Sequence, residues 1–171
     1  MFRRTDPAVV PPIDPYDPSG TAFGERCTID GIDWGVHLGD DLRVKAGTPV
    51  RAVADGTVVY ARFIPGSPVK RNWGGIVIVR HRFKTGTLYS LYGHIVDKHI
   101  TVGQRVKQGQ EIGAVAEKLT PRNGWWRDEH LHFGLYRGPW NGKVLPGFYR
   151  EDQELTRPEW WLNPVEVLKV G

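Results

Sequence analysis

The sequence predicts an all-β fold. Three observations lead to it. Gly and Pro, at 21 and 13 of 171 residues, favour frequent turns over long helices. Runs rich in β-branched and aromatic residues recur at strand length between turn signals. No window sustains a 3.6-residue apolar period, apart from a short turn near Pro158-Glu159-Trp160-Trp161. In chain order, residues 1–20 are rich in Pro and Asp and read as an extended arm on the surface of a single domain spanning 21–171. Gly56 to Phe63 is a strand through Thr57, Val58, Val59 and Tyr60. Gly75 to His81, with Ile76-Val77-Ile78-Val79, reads as a strand buried on both faces. Thr87 to Tyr92 alternates and leads into His94, and Glu111 to Ala116 and His130 to Tyr136 complete the set.

One segment occurs twice. Val44-Lys45-Ala46-Gly47, continuing through Ala52-Val53-Ala54-Asp55, aligns with Val106-Lys107-Gln108-Gly109, continuing through Ala114-Val115-Ala116-Glu117. Each glycine suits a turn that needs positive φ, and the aliphatic residue after it opens a strand. Two such units imply pseudo-symmetry, because one alone could not stabilise itself.

Composition excludes several function classes. Hydrophobic residues at 40% and charged residues at 25% describe an ordinary globular domain with a sizeable core. A net charge of +4 suits work near anionic polymers. Basic runs with interleaved aromatics are missing, so nucleic acid is not an expected partner. Cys27 is the only cysteine, which rules out an internal disulfide, and it reads as a small, partly buried apolar residue. No stretch reaches the ~18 apolar residues of a membrane span. The start, Met1-Phe2-Arg3-Arg4-Thr5-Asp6-Pro7, has no apolar run behind its arginines and does not read as an export signal.

Three separated stretches carry metal-binding chemistry: His37-Leu38-Gly39-Asp40-Asp41, Tyr92-Gly93-His94 and His130-Leu131-His132. On extended backbone, side chains two or four positions apart share a face. His37 and Asp41 would then point together with Asp40 turned away. His130 and His132 would share a face opposite the apolar stripe of Leu131, Phe133 and Leu135. Two imidazoles, one carboxylate and an open fourth position form the ligand set of a hydrolytic zinc site, with two spare histidines beside it. His81 and His99 lack such partners and read as strand-end or surface residues.

These motifs, with Phe23-Gly24-Glu25-Arg26, Gly47-Thr48-Pro49-Val50, Val102-Gly103-Gln104-Arg105-Val106 and Asn163-Pro164, come in the order found in the lysostaphin/LytM-type zinc metalloendopeptidases. The chain resembles that family over about residues 22 to 168. The resemblance implies one Zn2+ held by His37, Asp41 and His132, with His94 and His130 as the catalytic pair. It implies an antiparallel sheet of barrel-sandwich character with the duplicated motif and an open groove, and cleavage of peptide bonds in bacterial peptidoglycan, in cross-bridges or stem peptides, through a metal-activated water. His130, two residues from a ligand, is placed to act as general base, and His94 to hydrogen-bond the oxyanion or the leaving amine. The expected partner is peptidoglycan peptide and the expected state a monomer. The place of action is outside the cytoplasm, reached by periplasmic, secreted or phage-lysin delivery.

The segment ahead of His-x-His departs from the family. Members carry a short Gly/Ser/Thr loop there, whereas this chain has Thr120-Pro121-Arg122-Asn123-Gly124-Trp125-Trp126-Arg127-Asp128-Glu129. Trp125 and Trp126 could wall a substrate groove, with Arg122 or Arg127 facing stem-peptide carboxylates. They could equally pack down as a loop anchor. Trp160 and Trp161 are expected to close the bottom of the core. A non-catalytic relative that regulates another wall hydrolase is the alternative function, and retention of all five positions argues against it. Lipoyl or biotinyl carrier hairpins share the Val-Lys-x-Gly pattern but need a Met-Lys-type tip, which is missing here.

Overall fold

Every strand pair among the described residues is antiparallel, so the chain advances by hairpins and short returns without helical crossovers. The computed structural model describes residues 6–153 and 156–168. The first five residues of the proposed arm, and most of the stretch read for an export signal, lie outside them. Strands β1 (Arg26–Ile29) and β2 (Ile32–His37) form a hairpin, followed by β3 (Asp40–Arg43) and β4 (Pro49–Arg51). The long strands β5 (Gly56–Ile64), β6 (Gly74–Phe83) and β7 (Gly86–Gly93) make a meander. After them come β8 (Ile95–Asp97), β9 (Arg105–Val106), β10 (Glu111–Val115), β11 (His130–Tyr136), β12 (Phe148–Tyr149) and β13 (Trp161–Leu162). The main sheet runs β13-β11-β7-β6-β5-β9, with β3 also paired to β11, and two small sheets run β1-β2-β12 and β4-β10-β8.

The all-β expectation holds, and the long strands extend one or two residues past their predicted ends. One short helix, α1 (Pro164–Leu168), gave no periodic signal because it spans little more than a turn. Pro164 opens it, and Asn163 Oδ1 accepts the Val165 N–H at 3.1 Å, an Asx cap in place of a missing helical bond.

The main sheet has a packed layer on each face. Val77 and Val79 of β6 enter one cluster with Leu131, Phe133 and Leu135 of β11, while Ile76 and Ile78 enter the other with Leu91, Tyr136 and Trp161. Each such aliphatic side chain contributes about 1.5–3 kcal/mol on burial. Trp161 thus closes the second layer as expected, donating its indole N–H to Thr156 Oγ1 at 3.0 Å. The arm does more than lie on the surface. Val10 N–H donates to Val53 O and Arg51 N–H to Pro12 O, both at 2.9 Å, and Val9 and Ile13 enter the core.

The duplicated segments pair with each other, β4 against β10. Thr48 N–H donates to Lys45 O at 3.1 Å and Gln110 N–H to Lys107 O at 3.0 Å, closing equivalent turns. Gly47 and Gly109 occupy the third position of each turn at φ 85° and 78°. That is the type II turn geometry, which favours glycine there.

His81 overturns its expected place. It is fully buried within β6 rather than at a strand end, because its polar atoms are satisfied internally. Nδ1–H donates to Asp55 O at 2.9 Å, which leaves Nε2 as an acceptor, 2.7 Å from Ser90 Oγ. Ser90 must then give its single proton to Nε2 and accept from the Tyr92 hydroxyl, 2.9 Å away. Tyr92 in turn accepts the Val53 N–H at 3.1 Å. This one-way chain ties the Val53–Asp55 segment to β6 and β7. Burial lowers the His81 pKa, although Asp55 raises it in part. Protonation would put a second donor against Ser90 and reverse the chain.

In the unfolded chain His81 regains a pKa near 6.5, so the unfolded state takes up the proton first as pH falls. Stability against urea should be full above about pH 6.5 and decline below it. His81→Gln should lose about 1–3 kcal/mol at pH 7 and remove part of that acid slope. An unchanged slope in the variant would take His81 out of the effect.

Candidate metal centre

The site is assembled on β11, the strand that pairs with both β3 and β7. His132 stands opposite Asp41 of β3 on one side and Gly93 of β7 on the other, and the residue after Gly93 is His94. His37, at the end of β2, reaches the same point across a break in the chain at Leu38-Gly39. His37 and Asp41 do converge, but from strands of two different sheets and not along one extended segment. Asp40 turns away as expected, accepting from Tyr16 Oη–H at 2.6 Å and from Phe23 N–H at 2.8 Å.

Asp41 Oδ1 lies 3.3 Å from His37 Nε2 and 3.2 Å from His132 Nδ1. Ligand bonds of 2.0–2.2 Å in a tetrahedron place donor atoms about 3.3 Å apart, so this spacing fits a shared cation. The oxygen is buried and makes no hydrogen bond to either ring, as donors arranged around a common centre would. Protonation states fit as well. Burial opposes ionisation of Asp41, yet His130, His132 and His37 hold its carboxyl well below the usual range. Burial pushes His132 down to about 4, against the pull of Asp41, so the ring is neutral at pH 7 and free to ligate.

His94 and His130 flank this group, their ring centroids 4.6 Å apart. His94 Nδ1–H donates to Trp73 O at 2.9 Å and His130 Nδ1–H to Asp128 O at 2.9 Å. A carbonyl only accepts, so each neutral ring carries its proton on Nδ1 and its lone pair on Nε2. His130 Nε2 lies 3.9 Å from Asp41 Oδ1. Burial, reinforced by His130 and His132, holds the His94 pKa well below its ordinary value. With Nδ1–H on the Trp73 carbonyl, the neutral ring presents Nε2 as an acceptor. His94 also occupies the left-handed region at φ 64°, a strained position for a residue with a side chain. Its backbone N–H reaches Trp73 O at 3.1 Å, so one carbonyl fixes both the backbone and the ring.

All five residues line one cavity of about 150 Å³ whose walls are largely aromatic. Of the three groove residues expected from sequence, only Trp126 lines it. Its indole N–H donates to Asn72 O at 3.0 Å, and the Arg71 guanidinium sits 5.1 Å from its ring centroid. Trp125 takes a left-handed φ of 66° after Gly124 and stays off the cavity wall. Arg127 pairs instead with Asp30 at 3.3 Å, and Arg122 lies over Phe63 at 4.9 Å. Trp34, Trp73 and Phe148 complete the wall, and sequence reading missed them because no local pattern marks an aromatic that meets a histidine only in three dimensions. The ring of Trp34 lies 5.4 Å from that of Trp126, joining the β1–β2 hairpin to the loop before β11. Asp30 at the hairpin tip reinforces that bridge with a 2.7 Å pair to Arg71.

A model of Peptidase family M23 matches residues 35–145. The glycyl-glycine endopeptidase ALE-1 of Staphylococcus capitis is 35% identical over 103 residues, which are 60% of this chain and 25% of that protein. The chain thus spans a quarter of that relative's length. The catalytic domain of the antimicrobial peptidase lysostaphin from Staphylococcus simulans matches with TM-score 0.59 and 25% identity, over 88% of this chain and 90% of that one. A zinc-containing peptidase from Vibrio cholerae matches with TM-score 0.59 and 25% identity, over 76% of this chain and 37% of that one.

Gly39 lets β2 turn into β3 against β11. A Cβ there would lie 2.4 Å from Phe133 O and 2.8 Å from His132 Nε2, and the carbonyl belongs to the hydrogen-bonded ladder. Gly39→Ala should cost at least about 2–3 kcal/mol in thermal or urea unfolding, the upper part of the range for overpacking. Wild-type stability would show that the ladder yields there.

Proposed function

The chain belongs to Peptidase family M23, and on that premise we propose that it is a zinc metalloendopeptidase hydrolysing peptide bonds in bacterial peptidoglycan. The observation that carries the reading is the convergence of His37, Asp41 and His132, with two further imidazoles beside them, in one aromatic-walled cavity. His37, Asp41 and His132 would hold the cation, and two nitrogens with one oxygen suit zinc. When bound, zinc polarises a scissile carbonyl and lowers the pKa of a water towards neutrality.

The chain's own residues supply proton transfer and orientation. His130 accepts a proton at Nε2 while Nδ1–H stays on Asp128 O, which keeps the ring aimed as its charge changes. It then returns that proton to the leaving amine nitrogen. His94, kept neutral, accepts a substrate backbone N–H at Nε2 and so orients the scissile amide. Trp34, Trp126 and Phe148 exclude water from this reaction space and give an extended peptide apolar walls. Peptidoglycan is the proposed substrate because a Vibrio cholerae relative, 30% identical over 108 residues, is named a peptidoglycan DD-endopeptidase, and the wall outside the cytoplasm is the proposed place of action.

Zinc content and turnover test the two halves of this reading separately. Purified protein should hold one zinc per chain, and His37→Ala, Asp41→Ala or His132→Ala should weaken zinc affinity by at least ~100-fold, more than loss of a supporting residue does. Full metal occupancy in these variants would overturn the ligand set. His130→Ala should retain zinc but release new amino termini from purified peptidoglycan at least ~100-fold more slowly. Near-normal release would remove His130 from its role. A zinc-loaded wild-type protein that cleaves no peptidoglycan would leave a non-catalytic regulator of another wall hydrolase as the answer.

A further inference from the structure

A second concave surface lies at the other end of the main sheet. It encloses about 490 Å³ and is lined by Arg80, Arg82, Arg105 and Lys107 against a single carboxylate, Asp55. Lys107 pairs with Asp55 at 3.4 Å. Among the described residues, Arg80, Arg82 and Arg105 make no ion pair and no side-chain hydrogen bond. Three uncompensated guanidiniums therefore share one groove in a chain whose whole net charge is +4.

Strand register explains how they come together. Thr57 of β5 is opposite Arg80 of β6 on one side and Arg105 of β9 on the other, and Arg80 is opposite Tyr89 of β7. Tyr89, Arg80, Thr57 and Arg105 thus form one row across four strands, with Arg82 on the same face one pleat further along β6. At about 4.8 Å per strand, Arg80 and Arg105 stand about 10 Å apart, and Arg80 and Arg82 about 7 Å. Like charges at these separations repel within a Debye length. Edge protection accounts for Arg105, since β9 ends the sheet, but not for Arg80, which sits on an interior strand. Ile76 and Ile78 continue the Arg80 row towards the metal end, where the second apolar layer covers them.

We propose that this groove binds a phosphodiester-linked polyol or sugar chain, with Arg80, Arg82 and Arg105 on its phosphates. The guanidinium fork matches two phosphate oxygens, and arginine rather than lysine supplies the unpaired charges. Thr57 offers a hydroxyl between two guanidiniums. Nucleic acid fits less well, because a single-strand groove needs successive aromatic platforms and no aromatic side chain among the described residues lines this one. Ile76 is opposite Gly93, next to His94, so Arg80 lies about 14 Å along the strand from the metal end. Binding here therefore does not depend on the peptidase reading.

Titration of the full chain with soluble poly(glycerol phosphate) tests the proposal. Wild-type protein should bind saturably and lose affinity by about 20- to 40-fold between 50 and 200 mM salt, as about three released counterions require. The combined variant Arg80→Gln, Arg82→Gln, Arg105→Gln should lose at least ~10-fold in affinity with its circular dichroism intact. If that variant fails to fold, Arg105→Gln alone, on the exposed edge, should weaken binding by ~3-fold or more. Cleavage of a short uncharged peptide should be the same in variant and wild type. Polymer binding without any peptide cleavage would support this groove while sinking the peptidase reading. Unchanged polymer affinity in the variants would overturn the proposal. So would equal affinity for polyglutamate of the same length, or tighter binding of single-stranded DNA.

Discussion

The register of β11 between β3 and β7 is the constraint from which the candidate site follows. One strand, hydrogen-bonded on both sides, puts His132 between Asp41 and Gly93, and so brings three distant stretches of sequence to one point. A one-residue slip of either pairing would send His132 and its neighbours to opposite faces. The core enforces the register, because Leu131, Phe133 and Leu135 alternate with the two histidines and are buried without exposure. Gly93 has a further reason to be glycine. A Cβ there would meet the Trp73 ring at 2.4 Å, and Trp73 supplies the carbonyl that fixes His94.

The interior tolerates these polar groups because nearly every one has an assigned partner. Asp40 is held by Tyr16 and Phe23, and His81 by the chain running from Val53 to Asp55. One exception bears on the site. Asp41 Oδ1, the oxygen that faces His37 Nε2 and His132 Nδ1, is buried without a hydrogen bond among the described residues. An unpaired buried carboxylate oxygen is costly, so its place where two ring nitrogens converge is what a cation-binding centre requires. Elsewhere the sheet keeps its charges in water, and the Arg80 row shows what happens where the second apolar layer stops.

Much of this was legible in the sequence, for identifiable reasons. His130-Leu131-His132 sits on a strand whose alternation is strict, so its faces could be assigned from pattern alone. The duplicated Val-Lys-x-Gly turns follow from glycine's tolerance of positive φ and reappear as paired β4 and β10. What could not be read depends on tertiary closure. His37 and Asp41 meet through a break between two sheets, which a single-strand reading cannot contain. His81 looked peripheral because nothing local announces that Ser90 and Asp55 will satisfy both of its nitrogens. Trp34, Trp73 and Phe148 carry no signal until the hairpin, the β6 approach and β12 are brought to one cavity. His94 was recognised, but its tautomer became clear only with the Trp73 carbonyl in view.

The aromatic wall has one more consequence. Three of the seven tryptophans, Trp34, Trp73 and Trp126, line the same small cavity, in ring contact with its histidines or with one another. Indole emission shifts with the polarity of its surroundings and is quenched by nearby protonated imidazole. The molecule therefore carries a built-in fluorescent reporter. Whatever enters the cavity, or changes the charge of its rings, registers in the protein's own light without any attached dye.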